Sequence, residues 1–191
     1  VRKALAILLL SIPLLAGGPK PKVTITTSMG DIQVELEPEA TPKTVENFLK
    51  YVRKGQYDGT IFHRVKPGGP GIIQGGGHLP DLTKKPTDGS IKCEADLAKA
   101  AKLLNTKGTI AMARESLPDS AKAQFFINVK DNPDLNFKAR TLSEFGYCVF
   151  GRVTKGMDVV ARITKVKTGP QGGMTDVPVK PVTIITVKES K

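Results

Sequence analysis

What most restricts this chain is the spacing of its apolar residues, which recur in short runs with glycines between them. Val23 to Thr27 and Ile32 to Leu36 alternate apolar with polar residues around Ser28-Met29-Gly30-Asp31. That period of two, broken by a Gly-Asp turn, predicts a β-hairpin with one buried face. Ile61 to Val65, Ile72 to Gln74, Thr109 to Ala113, Phe125 to Val129, Tyr147 to Val153 and Val182 to Val187 are strand-like as well. A helix is expected from Pro42, capped by Thr41, with Val45, Phe48, Leu49 and Val52 on one stripe and Gly55 at its end. A second short helix fits Met157 to Ile163. About eight short strands, two helices and Gly/Pro-rich loops predict one mainly β domain, closed or sandwiched and antiparallel.

The 191 residues are ample for one core without a disulfide or metal scaffold, and no internal repeat divides them. The beginning differs from the rest. Arg2 and Lys3 precede the apolar run Ala4 to Ala16, which Pro13 interrupts and Gly17 and Gly18 follow. This reads as a secretory signal peptide at 1–16, a linker at 17–22 and a folded domain at 23–191. The expected location is periplasmic or secreted, with a membrane tether if the signal stays uncleaved and no other membrane domain. Export would put Cys93 and Cys148 in an oxidising compartment. Their spacing lacks CxxC, so free, partly buried thiols are expected, with one disulfide as the alternative. Lys+Arg 29 against Asp+Glu 18 gives a net charge of +11. The lysines are nevertheless scattered singly among acidic residues, without an arginine-rich tract or a stacking-aromatic motif. The charge is read as a surface property, and no nucleic-acid partner is expected.

Several chemistries fail on inspection. Each Lys–Gly pair (54–55, 107–108, 155–156) runs in the wrong order for a P-loop. No serine is flanked by glycine on both sides at the spacing of a nucleophile elbow. The only histidines, His63 and His78, match no zinc pattern with the remote cysteines. The glycine cluster at 68–77 lacks GxGxxG and leads into no helical stripe.

What remains is a set of specific residues on strands: Phe62-His63-Arg64-Val65, Gln74-Gly75-Gly76-Gly77, Gly108 to Ala113, Gln124-Phe125-Phe126-Ile127-Asn128 and Phe145 to Gly151. With the start TTSMGDIQVEL, the helix ATPKTVENFLKYVRKGQYDGTIFHRV and the end VFGRVTKGMDVVARI…VPVKPVTI, they resemble the cyclophilin family of peptidyl-prolyl cis–trans isomerases from Lys22 to about Lys188. Tyr147, where many eukaryotic members have His, resembles the bacterial periplasmic branch. The resemblance implies an eight-stranded closed antiparallel β-barrel capped by two helices. It implies X–Pro isomerisation in exported proteins during folding, with proline-containing polypeptides as partners, no cofactor or metal, and a monomer.

Carried over position by position, Arg64 matches the family's essential arginine. Gln74 matches the glutamine that binds substrate and positions that arginine, and Phe126 matches the floor of the proline pocket. Ile72, Met112, Ala113, Arg114 and Gln124 are expected along the groove, with Leu135 and Tyr147 on its other side. His63 alternates to the face opposite Arg64, which gives it a structural role. Three departures stand out. The segment Lys66-Pro67-Gly68-Gly69-Pro70-Gly71 is longer than the family's, so Gly71-Ile72 replaces a Phe-Met pair. Arg114 replaces a frequent Asn, and Asp134 stands where an aromatic often precedes the leucine. They keep open a second reading, a cyclophilin-like peptide-binding or chaperone module with weak or no catalysis. A third, a basic secreted binder of polyanions, would act independently of Arg64.

Overall fold

The structure is a computed structural model and describes residues 19–69 and 71–190. The expected signal at 1–16, with residues 17 and 18 of the linker, lies outside the described residues. In chain order the elements are β1 (Lys22–Thr27), β2 (Gly30–Leu36), α1 (Pro42–Arg53), β3 (Arg64–Lys66), β4 (Ile72–Gly75), α2 (Ala95–Ala100), β5 (Thr109–Met112), β6 (Phe125–Asn128), β7 (Val149–Lys155), α3 (Met157–Ile163), β8 (Thr168–Gln171), β9 (Met174–Pro178) and β10 (Ile184–Ser190). Eight strands form one antiparallel sheet in the order β10-β1-β2-β7-β5-β6-β4-β3, and β8 and β9 pair separately.

Alternation builds the first hairpin as expected. Val23, Ile25 and Thr27 on β1 are buried, as are Ile32, Val34 and Leu36 on β2. The register sets Val23 opposite Val34 and Ile25 opposite Ile32, so inward side chains meet in pairs. Strand pairing also takes in residues just ahead of Val23. Lys22 already pairs with Ser190 and Glu35, and the Pro21 carbonyl accepts from Leu36 N–H at 2.9 Å.

The expected sheet is present, but its closure is thinner than a complete barrel. Its two ends meet through a single bridge, Ile61 with Thr183, flanked by Phe62 N–H to Val182 O at 2.9 Å and Ile184 N–H to Thr60 O at 2.7 Å. The physical reason is local. β3 is only three residues long, and Pro178 and Pro181 offer no backbone N–H ahead of β10.

Inside the sheet lies an aromatic cluster. Phe48 of α1 stands 5.0 Å from Phe150, 5.2 Å from Tyr57 and 5.8 Å from Phe125, centroid to centroid. The buried Tyr57 hydroxyl donates to Ala123 O at 2.9 Å. Each such ring contributes about 1.5–3 kcal/mol by leaving water. α1 caps this core with the expected stripe, and α3 adds Val159, Val160 and Ile163. Gly55, at φ +62, ends α1, with Gln56 N–H reaching back to Tyr51 O and Gly55 N–H to Val52 O.

Two features depart from the expected helix plan. Thr41 stands at the N-cap of α1 without capping it, because its hydroxyl donates to Glu37 O at 3.3 Å. The free amides are met instead by the buried carboxylate of Glu94, far along the chain. It accepts from Lys43 N–H at 3.2 Å, Thr44 N–H at 2.9 Å and the Thr44 hydroxyl at 2.8 Å. Placing an anion at a helix N-terminus is favourable, and here it also ties two layers together. Glu94→Ala removes the acceptor of three donors, two of them buried, and is expected to destabilise the fold by about 2–4 kcal/mol. Urea denaturation would show this as a lowered midpoint, and an unchanged midpoint would refute it.

The other departure is α2, a third helix just after Glu94. Only Ala95 and Ala98 are buried along it, too little apolar pattern to mark it in the sequence. Cys93 and Cys148 are free and buried nearby. Burial pushes both thiols up, which keeps them protonated and unreactive. Among the described residues no helix is long and apolar enough to cross a membrane.

Candidate active site

β5 and β6 are buried at every position, inside and out. Their inward residues Ile110, Met112, Phe125 and Ile127 join the main core, and their outward residues Ala111 and Phe126 join a second apolar cluster with Ile72 and Val149. The sheet here has two greasy faces, which explains the unbroken Phe125-Phe126-Ile127 run.

Across the outer face the register lays down a single row. Arg64 of β3 lies opposite Gln74 of β4, Gln74 opposite Phe126 of β6, and Phe126 opposite Ala111 of β5. Strands about 4.8 Å apart put the cation roughly two spacings from the aromatic ring. β3 and β4 pair in regular register on either side of the longer segment. Gln74 does not hold Arg64, as the resemblance implied. Its side-chain amide donates to Gln124 Oε1 at 3.0 Å. Gly77 makes room for that arrangement, since a Cβ there would fall 2.4 Å from Gln124 Cγ.

The far wall comes from loops. The ring of Tyr147 meets Phe126 edge-on at 5.5 Å and 82°. Leu135 packs against the same cluster, and its carbonyl accepts from Tyr147 N–H at 2.9 Å. Arg114 lies over the Tyr147 ring at 4.8 Å and donates to Gly146 O at 2.9 Å and to Glu115 O at 2.9 Å. Its side chain therefore locks the tyrosine, a role its place in the chain did not foretell. Asp134 is exposed and paired with Lys138 at 3.1 Å, away from the apolar wall.

A buried asparagine network, missed in the sequence, supports this wall. Asn105 Nδ2 donates to Leu135 O at 3.0 Å and to Tyr147 O at 3.2 Å. Asn128 Nδ2 donates to Asn105 Oδ1, and Asn132 Nδ2 to Asn128 Oδ1 at 2.7 Å. The one visible signal was Asn128, a polar end on an otherwise apolar strand.

A cavity of about 510 Å³ adjoins the row, and Gln74, His78, Lys84, Ala113, Lys122 and Gln124 are among the residues that line it. Of the expected site residues, the structure brings together Arg64, Gln74, Phe126, Ile72, Ala113, Arg114, Gln124, Leu135 and Tyr147. Met112 is the correction. It is buried in the main core beside Phe125, because alternation on β5 turns it inward between Ala111 and Ala113.

His63 points away from Arg64 and is almost fully buried. Its ring stands 4.3 Å from His78, and burial, aided by that neighbour, pushes it down to about 3. It is neutral at neutral pH and supplies no proton to the groove. Among the described residues no cluster of three or more His, Cys, Asp or Glu side chains is placed to hold a metal ion. The arrangement is an exposed cationic donor at the edge of an apolar floor, suited to gripping an apolar ring and polarising an adjoining amide.

Comparison with known proteins agrees with this geometry. Residues 22–189 match the family model described as cyclophilin type peptidyl-prolyl cis-trans isomerase. The chain is 54% identical over 166 residues to peptidyl-prolyl cis-trans isomerase cyp18 of Streptomyces antibioticus, covering 87% of this chain and 96% of that one. It is 49% identical to peptidyl-prolyl cis-trans isomerase B of Escherichia coli, over 88% and 99% of the two chains. Among solved structures, a Cryptosporidium parvum cyclophilin type isomerase, crystallised in the presence of the dipeptide Ala-Pro, superposes with a TM-score of 0.73 at 26% identity. That match covers 89% of this chain and 99% of the other.

Proposed function

From the premise that the chain belongs to the cyclophilin-type peptidyl-prolyl cis–trans isomerases, we propose that Arg64 donates to the twisting X–Pro amide while Phe126 seats the proline ring. The observation that carries this assignment is the row Arg64–Gln74–Phe126–Ala111, which sets donor and floor on one face of the sheet with only β4 between their strands.

The chemistry suits those residues. Rotation about an amide must break its resonance, against a barrier of about 18–20 kcal/mol. In the twisted state the proline nitrogen regains its lone pair and becomes an acceptor. A guanidinium is always charged and can donate there without any adjustment of its pKa. No bond is made or broken, so neither a nucleophile nor a base is called on. An acceleration of about 10⁴–10⁵ requires roughly 5.5–7 kcal/mol of preferential binding to the twisted state. A charged donor, a desolvated ring and fixed orientation are of that order together.

The proposed substrates are X–Pro segments of exported polypeptides, in the periplasm or outside the cell. What supports export is the basic Arg2-Lys3 followed by the apolar run to Ala16. Two measurements test the reading. A protease-coupled or NMR exchange assay on an X–Pro tetrapeptide is expected to show acceleration over the uncatalysed rate, and binding without acceleration would overturn it. Mass spectrometry of the exported chain reads the signal directly, and a chain retained in the cytoplasm would refute the location.

The Gln74–Gln124 bond offers a finer test. Gly77→Ala forces Gln124 aside and breaks it, at a cost of about 1 kcal/mol. The expected result is a roughly fivefold lower kcat/KM, with the melting temperature lowered by only a few degrees. Full activity would show that this bond has no part in catalysis.

A further inference from the structure

β9 came with no signal in the sequence, since Gly169 to Gly173 reads as loop and only Val177 and Pro178 of the strand are buried. Along it Met174 and Asp176 share one face. Met174 lines the cavity beside Gln74. The Asp176 carboxylate stands 3.8 Å from Arg64 Nε and 3.8 Å from Lys66 Nζ. The Thr175 hydroxyl donates to the same oxygen at 3.1 Å.

Something must hold Arg64, because its side chain is 41% exposed and long enough to wander. Gln74, directly opposite, is engaged with Gln124. Among the described residues Asp176 is the one carboxylate within 4.0 Å of the guanidinium. It also offsets the repulsion between Arg64 and Lys66, which project from the same face of β3. Attraction at the Nε edge leaves the two Nη groups to donate to a substrate.

We propose that Asp176 is the positioning residue for Arg64, with the β8–β9 hairpin serving as the bracket that presents it. This rests on the reading of Arg64 as the donor. Attraction from Asp176 narrows the arginine's rotamers before substrate arrives, so less order remains to be gained in the twisted state.

The test is a double-mutant cycle on the full chain, with kcat and KM measured separately for one X–Pro tetrapeptide and melting temperatures recorded. Asp176→Asn is expected to lower kcat about tenfold, equivalent to about 1.4 kcal/mol, with KM and melting temperature little changed. Asp176→Glu should recover most of the loss. In an Arg64→Ala background Asp176→Asn should change the residual rate by less than about twofold, because interacting residues do not add. Wild-type kcat in Asp176→Asn, or an equal loss in both backgrounds, overturns the proposal. An active Arg64→Ala would instead overturn the reading of Arg64. ¹⁵N relaxation at Arg64 Nε in the wild-type protein decides even if Asp176→Asn fails to fold. An ordered Nε–H is expected, and free picosecond averaging would refute the bracket.

Discussion

Replacing Arg64 with alanine is expected to lower kcat/KM toward X–Pro peptides by about 10²–10³-fold, the usual cost of deleting one donor aimed at developing charge. The fold should survive the change. Arg64 is half exposed, its only ion-pair partner among the described residues is the solvent-accessible Asp176, and the adjacent core position is filled by Val65. Thermal melting should therefore shift by a few degrees at most, since solvent-exposed pairs contribute about 0–1 kcal/mol. Arg64→Lys keeps the charge but loses the planar fork, and should recover only a minor part of the rate. Turnover near the wild-type value in Arg64→Ala would end the assignment of the donor. Loss of peptide binding together with turnover would instead place Arg64 in substrate capture.

Acidification is expected to begin destabilising the protein before its carboxylates titrate. In the unfolded chain His63 titrates near 6.5, and in the fold burial lowers it to about 3. Between those values the unfolded chain binds a proton that the folded chain refuses. The His63 contribution is therefore complete above about pH 6.5 and is lost as pH falls toward 3. The full window corresponds to about 5 kcal/mol. His78 is lowered as well, by burial and by Lys84, and acts in the same direction. Among the described residues His63 Nδ1 and His78 Nδ1 are both buried without a partner, so a proton added to either meets no acceptor there.

The carboxylates act lower down. Hydrogen bonds from Lys50 and Lys54 hold Asp88 at about 2, and Arg53 holds Glu189 below its ordinary value. A fall in melting temperature between pH 7.5 and 5 therefore isolates the histidines. His63→Gln should flatten that slope. A melting temperature constant over the same range would refute the account.

Much of this was legible where side-chain period and burial coincide. β1, β2, α1 and α3 face one core each, and their apolar spacing states it. The row on the outer face was legible only through resemblance, since a register between strands distant in sequence leaves no local trace. Met112 shows the cost of reading a motif as a unit. Strand geometry alone turns it inward, by the same alternation that correctly separated His63 from Arg64. Glu94 and Asp176 were invisible for a different reason. Each acts on an element far away in the chain, and an isolated acidic residue looks like ordinary surface until the fold brings a partner to it. Thr41 had the right chemistry for a cap and the wrong neighbour, Glu37, drew its hydroxyl away.

The thin closure of the sheet has a mechanical consequence. Phe126 sits on a strand laced on both sides, by β4 and by β5, whereas Arg64 sits on the terminal strand, laced on one side only and next to the lone Ile61–Thr183 bridge. The proposed floor is thus clamped from both flanks, whereas the proposed donor depends on a single ladder and on the Asp176 carboxylate for its place.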